Sequence, residues 1–266
     1  MNYHFLDYIK GGLNISLAVA IDFTGSNRIP TDPRSLHVYN PHQMNPYQSA
    51  IKFVGDILLN YDTDKMVPVY GFGAKKIING VPENSANHCF PLTGDWEDTE
   101  VLGVAGIMSL YNMAIHNLRF SGPTFFAPCF EKIVNETKEE FRKNPDNYSI
   151  FLLLTDGVLH DMQKTIDVLV EASKLPISVV IVGIGSENFD NMRLLDDAKV
   201  TSSSGERPSR DVLQFVELQK CGHDFDLLTQ EVLKEIPDQI TSYYRSINRP
   251  PNPPISQSFN FVNFFL

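Results

Sequence analysis

The sequence predicts an α/β fold: a doubly wound, mostly parallel central sheet with helices on both faces. Three observations carry it. Four apolar, almost uninterrupted runs read as strands, Asn14 to Phe23, Val67 to Ala74, Tyr148 to Thr155 and Ile177 to Ile184, and all but the second read as buried strands. Helix-length segments with apolar residues at i, i+3 and i+4 separate them, as strand–helix–strand units require. The chain has 266 residues, 42% hydrophobic and 20% charged, which is globular composition with enough length for a large core. No repeat or linker interrupts 14–247, so we expect a lead-in (1–13), one domain (14–247) and a Pro/Phe-rich tail (248–266).

The elements follow in order. Asn14 to Phe23 (NISLAVAIDF) is the first strand, and Thr24 to Asn45, rich in Pro, Asn and His, is a long polar loop. Pro46 opens a helix with Asn45 as its N-cap, and Tyr47, Ala50, Ile51, Val54 and Leu58 share its inner face. Val67 to Ala74 is the second strand, and Asn87 to Leu92 reads as a short edge strand. Thr99 to Leu118 reads as one helix with Leu102, Ile107, Leu110 and Ile115 inward, and Ala127 to Lys143 as another. Tyr148 to Thr155 is the strongest strand signal. A helix over Asp161 to Lys174 and a strand over Ile177 to Ile184 follow. A charged, Ser-rich loop (Asp196 to Ser209), a last strand (Val212 to Leu218) and a single last helix (Leu227 to Tyr244) complete the domain.

Charge and composition remove several function classes. Lys and Arg total 22 against 32 Asp and Glu, a net charge of -10, with a pI near 5.1. Such a surface repels phosphate backbones, so nucleic-acid binding is not expected. No apolar run reaches the ~18 residues that span a bilayer. The first dozen residues carry Asp7 and a single Lys, unlike a secretory signal. Three scattered cysteines, Cys89, Cys129 and Cys221, suit neither a disulfide frame nor a zinc site. They point to a reducing, cytoplasmic setting.

In open parallel sheets, sites form beyond the carboxyl ends of strands. The first strand ends in Asp22-Phe23-Thr24-Gly25-Ser26, a carboxylate and two hydroxyls at i, i+2 and i+4. These are hard oxygen ligands, suited to Mg²⁺ or Mn²⁺ and poor for zinc or copper. The third strand run ends in Asp156-Gly157, a second carboxylate at a strand end, and Gly122-Pro123-Thr124 offers a third hydroxyl before a helix. Two carboxylates and three hydroxyls can hold one divalent cation and leave a position open.

DxTxS after the first strand, a Thr loop mid-chain and TDG after the central strand resemble the metal-ion-dependent adhesion site of von Willebrand factor type A domains. The segments LDYIKGGLNISLAVAIDFTGSN, SLHVYNPHQMNPYQSAI, VYGFGAK, LRFSGPTFFAP, LLLTDGVLHDM, LPISVVIVGIG and RDVLQFVEL resemble one subgroup, the copines, from about Phe5 to Tyr244. The resemblance implies that Thr24, Ser26 and Thr124 touch one Mg²⁺ or Mn²⁺ directly, while Asp22 and Asp156 act mostly through bound water. It implies a non-enzymatic module whose protein partner offers an acidic side chain to the metal. Copines resemble two C2 domains followed by this A domain, and the family is known for calcium-dependent phospholipid binding in signalling and membrane traffic. About a dozen residues precede the first strand here. Membrane association is therefore expected only through the missing C2 domains or other partners, with a cytoplasmic chain recruited to the plasma membrane by them.

Two other functions compete. A Mg²⁺-dependent phosphohydrolase also places an Asp after its first strand, but needs a second acid two residues on, where this chain has Thr24. Similar A domains resemble the substrate-recruiting part of RING ubiquitin ligases, yet the chain has no CxxC pair to build a RING. Gly71-Phe-Gly73 and Gly183-Ile-Gly185 lack the third glycine of a dinucleotide loop and read as close strand packing. His37 and His42 read as residues of a solvated loop, Cys129 as a buried thiol and Trp96 as a packing residue.

Overall fold

The computed structural model describes residues 3–197, 199–222 and 224–254. The expected tail beyond residue 254 lies outside them.

Helix α1 (Phe5–Lys10) opens the chain, and β1 (Asn14–Asp22) follows as a central strand. The loop after β1 begins with a 3-10 turn (Gly25–Asn27) and leads to α2 (Pro46–Leu58). Asn45 caps α2: its side chain accepts from Gln48 N, and the Gln48 side chain accepts from Asn45 N. The five α2 residues expected on the inner face are all buried.

β2 (Met66–Phe72) turns at Gly73 into β3 (Ala74–Ile78), followed by β4 (Val81–Pro82) and β5 (Phe90–Pro91). β6 (Glu100–Leu102) precedes α3 (Gly103–Asn117), and β7 (Leu118–Phe120) precedes α4 (Ala127–Lys143). β8 (Asn147–Thr155), α5 (Met162–Ala172), β9 (Ile177–Gly183), α6 (Asp190–Asp196) and β10 (Leu213–Glu217) complete the strands. α7 (Leu218–Cys221), α8 (Phe225–Leu233) and α9 (Ile236–Ser246) close the domain.

The main sheet runs β10-β9-β8-β1-β2-β5, with β6 also pairing with β2. The five strands from β10 to β2 are parallel, and β5 and β6 pair antiparallel with β2. A small antiparallel sheet, β4-β3-β7, stands apart. This is the doubly wound α/β architecture the apolar runs predict.

Side chains alternate across the sheet, so each strand feeds two cores. Leu17, Val19, Ile21, Leu152 and Leu154 pack with residues of α1, α2, α3, α8 and α9. Ala18, Ala20, Phe151 and Leu153 pack with residues of α4, α5 and α6. Every residue of β9 is buried, as in a strand covered on both faces. Fully burying one such Ile, Leu or Phe contributes roughly 1.5–3 kcal/mol. The sum makes the sheet a rigid base that can hold unfavourable groups at its ends.

Two expected elements differ. The helix expected from Thr99 starts at Gly103, because 100–102 pair with β2 instead; Leu102, expected inward, is exposed. The single helix expected over Leu227 to Tyr244 is two. Pro237 lacks an N–H and its ring disfavours a continuing helix, so the chain restarts with Pro in the first turn of α9. α6 and the small sheet formed by β3, β4 and β7 were not expected.

The first residues of the expected tail fold back. Tyr8 Oη donates to the Arg249 carbonyl (3.1 Å), Arg249 Nη2 pairs with Asp146 Oδ1 (2.6 Å), and Asn252 Nδ2 donates to Asp146 Oδ2 (3.0 Å).

Candidate metal centre

The chain leaves β1 towards β2 on one side of the sheet and leaves β8 towards β9 on the other. A crevice must open where the winding reverses, beyond the carboxyl ends of β1 and β8. Asp22 is the last residue of β1, and Asp156 directly follows the last residue of β8. Both are fully buried.

The Asp22 carboxylate is shaped by its neighbours. Its Oδ1 accepts from Thr24 N (2.8 Å) and Thr24 Oγ1 (2.6 Å), the local turn that an Asp two residues before a hydroxyl favours. Its Oδ2 accepts from Thr155 Oγ1 (2.7 Å). The strand register supplies this contact, since Ile21 lies opposite Leu154 and the next pair brings Asp22 beside Thr155. The Ser26 hydroxyl lies 3.0 Å from Thr24 Oγ1. Gly73, with φ 77°, lets the end of β2 pass against this turn, where a Cβ would run into the Thr24 methyl.

Asp156 is less satisfied. Its Oδ1 accepts from Val158 N at 3.4 Å. Its Oδ2 is buried and has no partner among the described residues. Burial pushes the Asp22 carboxyl up to about 7; the Asp156 charge adds to this, and hydrogen bonds from Thr24 and Thr155 oppose it. Burial also raises Asp156, with Glu187 adding and the Ser26 and Val158 bonds opposing. Both acids at this centre are therefore costly to ionise.

Thr124 arrives on a third loop, after the cis peptide Gly122–Pro123, and is 2% exposed. Hydrogen bonds stitch the loops together. Gly25 N donates to the Ser121 carbonyl, Thr124 N to His160 Nδ1 (3.2 Å), and His160 N to the Thr124 carbonyl (3.0 Å). The Asp161 carboxylate then accepts from Phe126 N and Ala127 N, both at 2.9 Å, at the N-terminus of α4, where negative charge is favoured.

The structure thus joins Asp22, Thr24 and Ser26 in one hydrogen-bonded set, and places Asp156 at the end of the neighbouring strand and Thr124 on the adjoining loop. Thr155, Asn27, His160 and Asp161 were not singled out from sequence. The only trace of the last two is their place in the segment after Asp156, and nothing in sequence marks a buried Thr at a strand end.

A buried polar strut holds the β1 turn from behind. Asn27 Nδ2 reaches Thr24 Oγ1 (3.3 Å) and the Thr24 carbonyl (3.4 Å), and Asn27 Oδ1 accepts from Tyr47 Oη (2.8 Å). The Tyr47 ring stacks on His37, with centroids 3.9 Å apart, and His37 Nδ1 is 2.8 Å from Tyr111 Oη. Tyr111 Oη in turn donates to Asn45 Oδ1 (3.2 Å). The solvated-loop reading of His37 is corrected here. The ring is buried in an aromatic cage of Phe23, Tyr47, Tyr111 and Phe120, and burial holds its pKa down to about 3, so it is neutral. His42 is exposed, and Cys129 is buried as expected. Gly71 and Gly183 do lie in close packing, against Phe90 and Phe189. Trp96 is half exposed, with Lys132 Nζ 5.2 Å above its ring.

The residues fit a hard cation on one count: a buried, unpartnered carboxylate oxygen, Asp156 Oδ2, lies in a centre rich in hydroxyls. Among the described residues no group of three or more His, Cys, Asp and Glu gathers to bind an ion. A cation here would draw on two carboxylates, hydroxyls and water.

A copine family profile matches residues 35–252, a span that includes Thr124 and Asp156 but begins after the β1 turn. The chain is 41% identical over 254 residues to Copine-C of Dictyostelium discoideum, covering 94% of this chain and 46% of that protein. It is 40% identical over 258 residues to Protein BONZAI 1 of Arabidopsis thaliana, covering 96% of this chain and 44% of that protein. The chain therefore spans just under half the length of these relatives. Among solved structures it is similar to the manganese-loaded Plasmodium vivax TRAP protein, with TM-score 0.47 and 14% identity, over 83% of this chain and 74% of that one. On its sequence relatives and the family profile, the chain belongs to the copine family.

Proposed function

We propose that this copine domain is a divalent-metal-dependent protein-interaction module and not an enzyme. The observation that carries this is the buried carboxylate pair at the winding reversal, with Asp156 Oδ2 unpartnered and hydroxyls of Thr24 and Ser26 beside it. When bound, Mg²⁺ or Mn²⁺ supplies positive charge and an open coordination position for a partner's carboxylate.

The chain's own residues do the rest. Thr24, Ser26 and Thr124 would provide direct hydroxyl ligands, and Asp22 and Asp156 charge and water-bridged contacts. Thr155 and Asn27 orient Asp22 and Thr24 so that few groups need to move on binding. Thr24 also speaks against a phosphohydrolase. It occupies the position that would need a second acid, and its hydroxyl is committed to Asp22.

No helix among the described residues is long and apolar enough to cross a membrane. Because the relatives are about twice as long, calcium-dependent phospholipid binding is proposed to reside in other parts of such proteins. This domain, placed in the cytoplasm, would be brought to the plasma membrane by those parts or by partners.

Titration calorimetry with Mg²⁺ and Mn²⁺ tests the centre. Wild type should bind one ion and the Asp22→Ala/Asp156→Ala double variant none; absence of heat with either ion in wild type removes the site. Metal and partner must strengthen each other's binding by the same factor, typically about 5–150-fold. Pull-downs from extract with Mg²⁺ or with chelator, followed by affinity measurements on Thr124→Ala, test that linkage. A captured partner whose affinity ignores the metal would sink the metal-dependent reading.

A further inference from the structure

We propose that Cys89 and Cys129 form an oxidisable dithiol that a peroxide converts into an intramolecular disulfide. Cys89 immediately precedes β5, and Cys129 is the third residue of α4. Cys129 Sγ donates to the His88 carbonyl at 3.4 Å, so the thiol reaches the backbone directly beside Cys89. Burial, and then the neighbouring Cys89 thiol, raise the Cys129 pKa, as expected for side chains that share one pocket of the core. Cys89 packs on the same core cluster that encloses Cys129, and both are free cysteines.

Exposure separates their roles. Cys129 is fully buried, whereas Cys89 is half-buried and faces a shallow surface hollow of about 630 Å³, lined in part by Glu83, Ser85, His88 and Pro128. A small polar oxidant can reach Cys89 through that hollow. Burial pushes the Cys129 thiol well above its ordinary pKa, so Cys129 does not meet the oxidant as a thiolate. Cys89 is the attacking sulfur and Cys129 the resolving one.

The chemistry balances. The Cys89 thiolate attacks one oxygen of hydrogen peroxide. An S–O bond forms as the O–O bond breaks, and the departing hydroxide leaves as water with the thiol's proton. Cys129 Sγ then attacks the Cys89 sulfur. The S–S bond forms, the S–O bond breaks, and the second hydroxide takes the Cys129 proton as water. Two thiols and one peroxide become one disulfide and two waters; the sulfurs lose the two electrons that the peroxide gains. The bond pins the loop before β5 to the first turn of α4, directly after the segment whose N–H groups sit on Asp161. In a reducing compartment such a bond is transient and serves redox sensing.

The test treats the reduced chain with one equivalent of hydrogen peroxide, alkylates it with iodoacetamide after unfolding, and maps the peptides by mass. The expected product has lost two hydrogens, carries a Cys89–Cys129 linked peptide that dithiothreitol releases, and keeps Cys221 alkylatable. Cys89→Ser should abolish the link and leave Cys129 unmodified. Cys129→Ser should leave a sulfenic acid on Cys89 that dimedone traps. If that variant does not fold, excess dimedone added to wild type should suppress the link instead. Wild-type Cys89 that stays alkylatable, proceeds to sulfinic acid without linking, or links to Cys221 overturns the proposal.

Discussion

Strand β8 carries an aspartate at each end, and the two are treated in opposite ways. Asp146, just before the strand, accepts from Arg249 Nη2 and Asn252 Nδ2, and so exchanges its charge with a segment that folds back from the C-terminal side. Asp156, just after it, is buried beside another carboxylate and leaves one oxygen without a partner. The same residue type at two ends of one strand is structural where its charge is answered and a candidate ligand where it is not. Asp62, also buried, follows the first pattern: Leu17 N and Lys65 N bond its carboxylate. A buried acid is therefore not by itself a functional signal; an unanswered one is.

The largest way to break this comparison is at the buried carboxylate pair to which Asp156 belongs. Asp22→Ala should lower Mg²⁺ affinity by at least about 10–100-fold, the usual cost of losing an outer partner of a metal site. Calorimetry checks it, and an unchanged affinity would make Asp22 as structural as Asp146.

The next effect is on the pH dependence of stability without metal. Asp22 titrates near 7 folded, above its ordinary value of 3.8, so between these values the folded state holds more protons than the unfolded one. Stability should then be greatest below about pH 4 and fall as pH rises towards 7. Denaturant melts in chelator at several pH values measure it. Asp22→Asn should flatten the slope without removing it, because Asp196, raised to about 6, and Glu235, raised to about 7, both chiefly by burial, titrate in the same window. An Asp22→Asn variant with the full wild-type slope would place the titration elsewhere.

A smaller effect tests the strut. Tyr47→Phe leaves the buried Asn27 Oδ1 without its donor and should cost about 1–3 kcal/mol. It should also weaken metal binding, because Asn27 holds Thr24. Equal stability loss with unchanged metal affinity would make the strut purely structural.

The smallest expected change is at the answered end. Asp146→Ala removes a one-third-exposed ion pair and should cost no more than about 1 kcal/mol, with metal affinity unchanged. A change in metal affinity there would erase the contrast between the two ends.

Much of this was legible in the sequence. The apolar runs of β1, β8 and β9 and the bounds of α4 could be read because burial on both faces demands unbroken hydrophobicity and because helix periodicity is local. So could the placement of Asp22, Thr24, Ser26 and Asp156 at the strand ends, since an acid or hydroxyl directly after a buried strand has few places to go but the sheet's edge. Other features were not legible. β6 reads as helix, but its three residues pair with β2, and pairing is not written in local propensity. His37 sits among polar loop residues, and only the packing of α2 and α3 makes it a core histidine. Asp161 reads as the start of α5, yet its carboxylate caps α4.

The sequence by itself determined the strand and helix alphabet of this domain, its family and the residue types at the end of β1 and β8, because hydrophobic periodicity and short oxygen-rich turns are set by neighbours along the chain. The tertiary structure alone decided which acids are answered. Strand register brought Thr155 to Asp22, and chain return brought Arg249 to Asp146. Asp156 Oδ2 was left unpartnered among the described residues. Whether a carboxylate finds its partners depends here on groups more than 100 residues apart in sequence, and only folding brings those within a few ångströms.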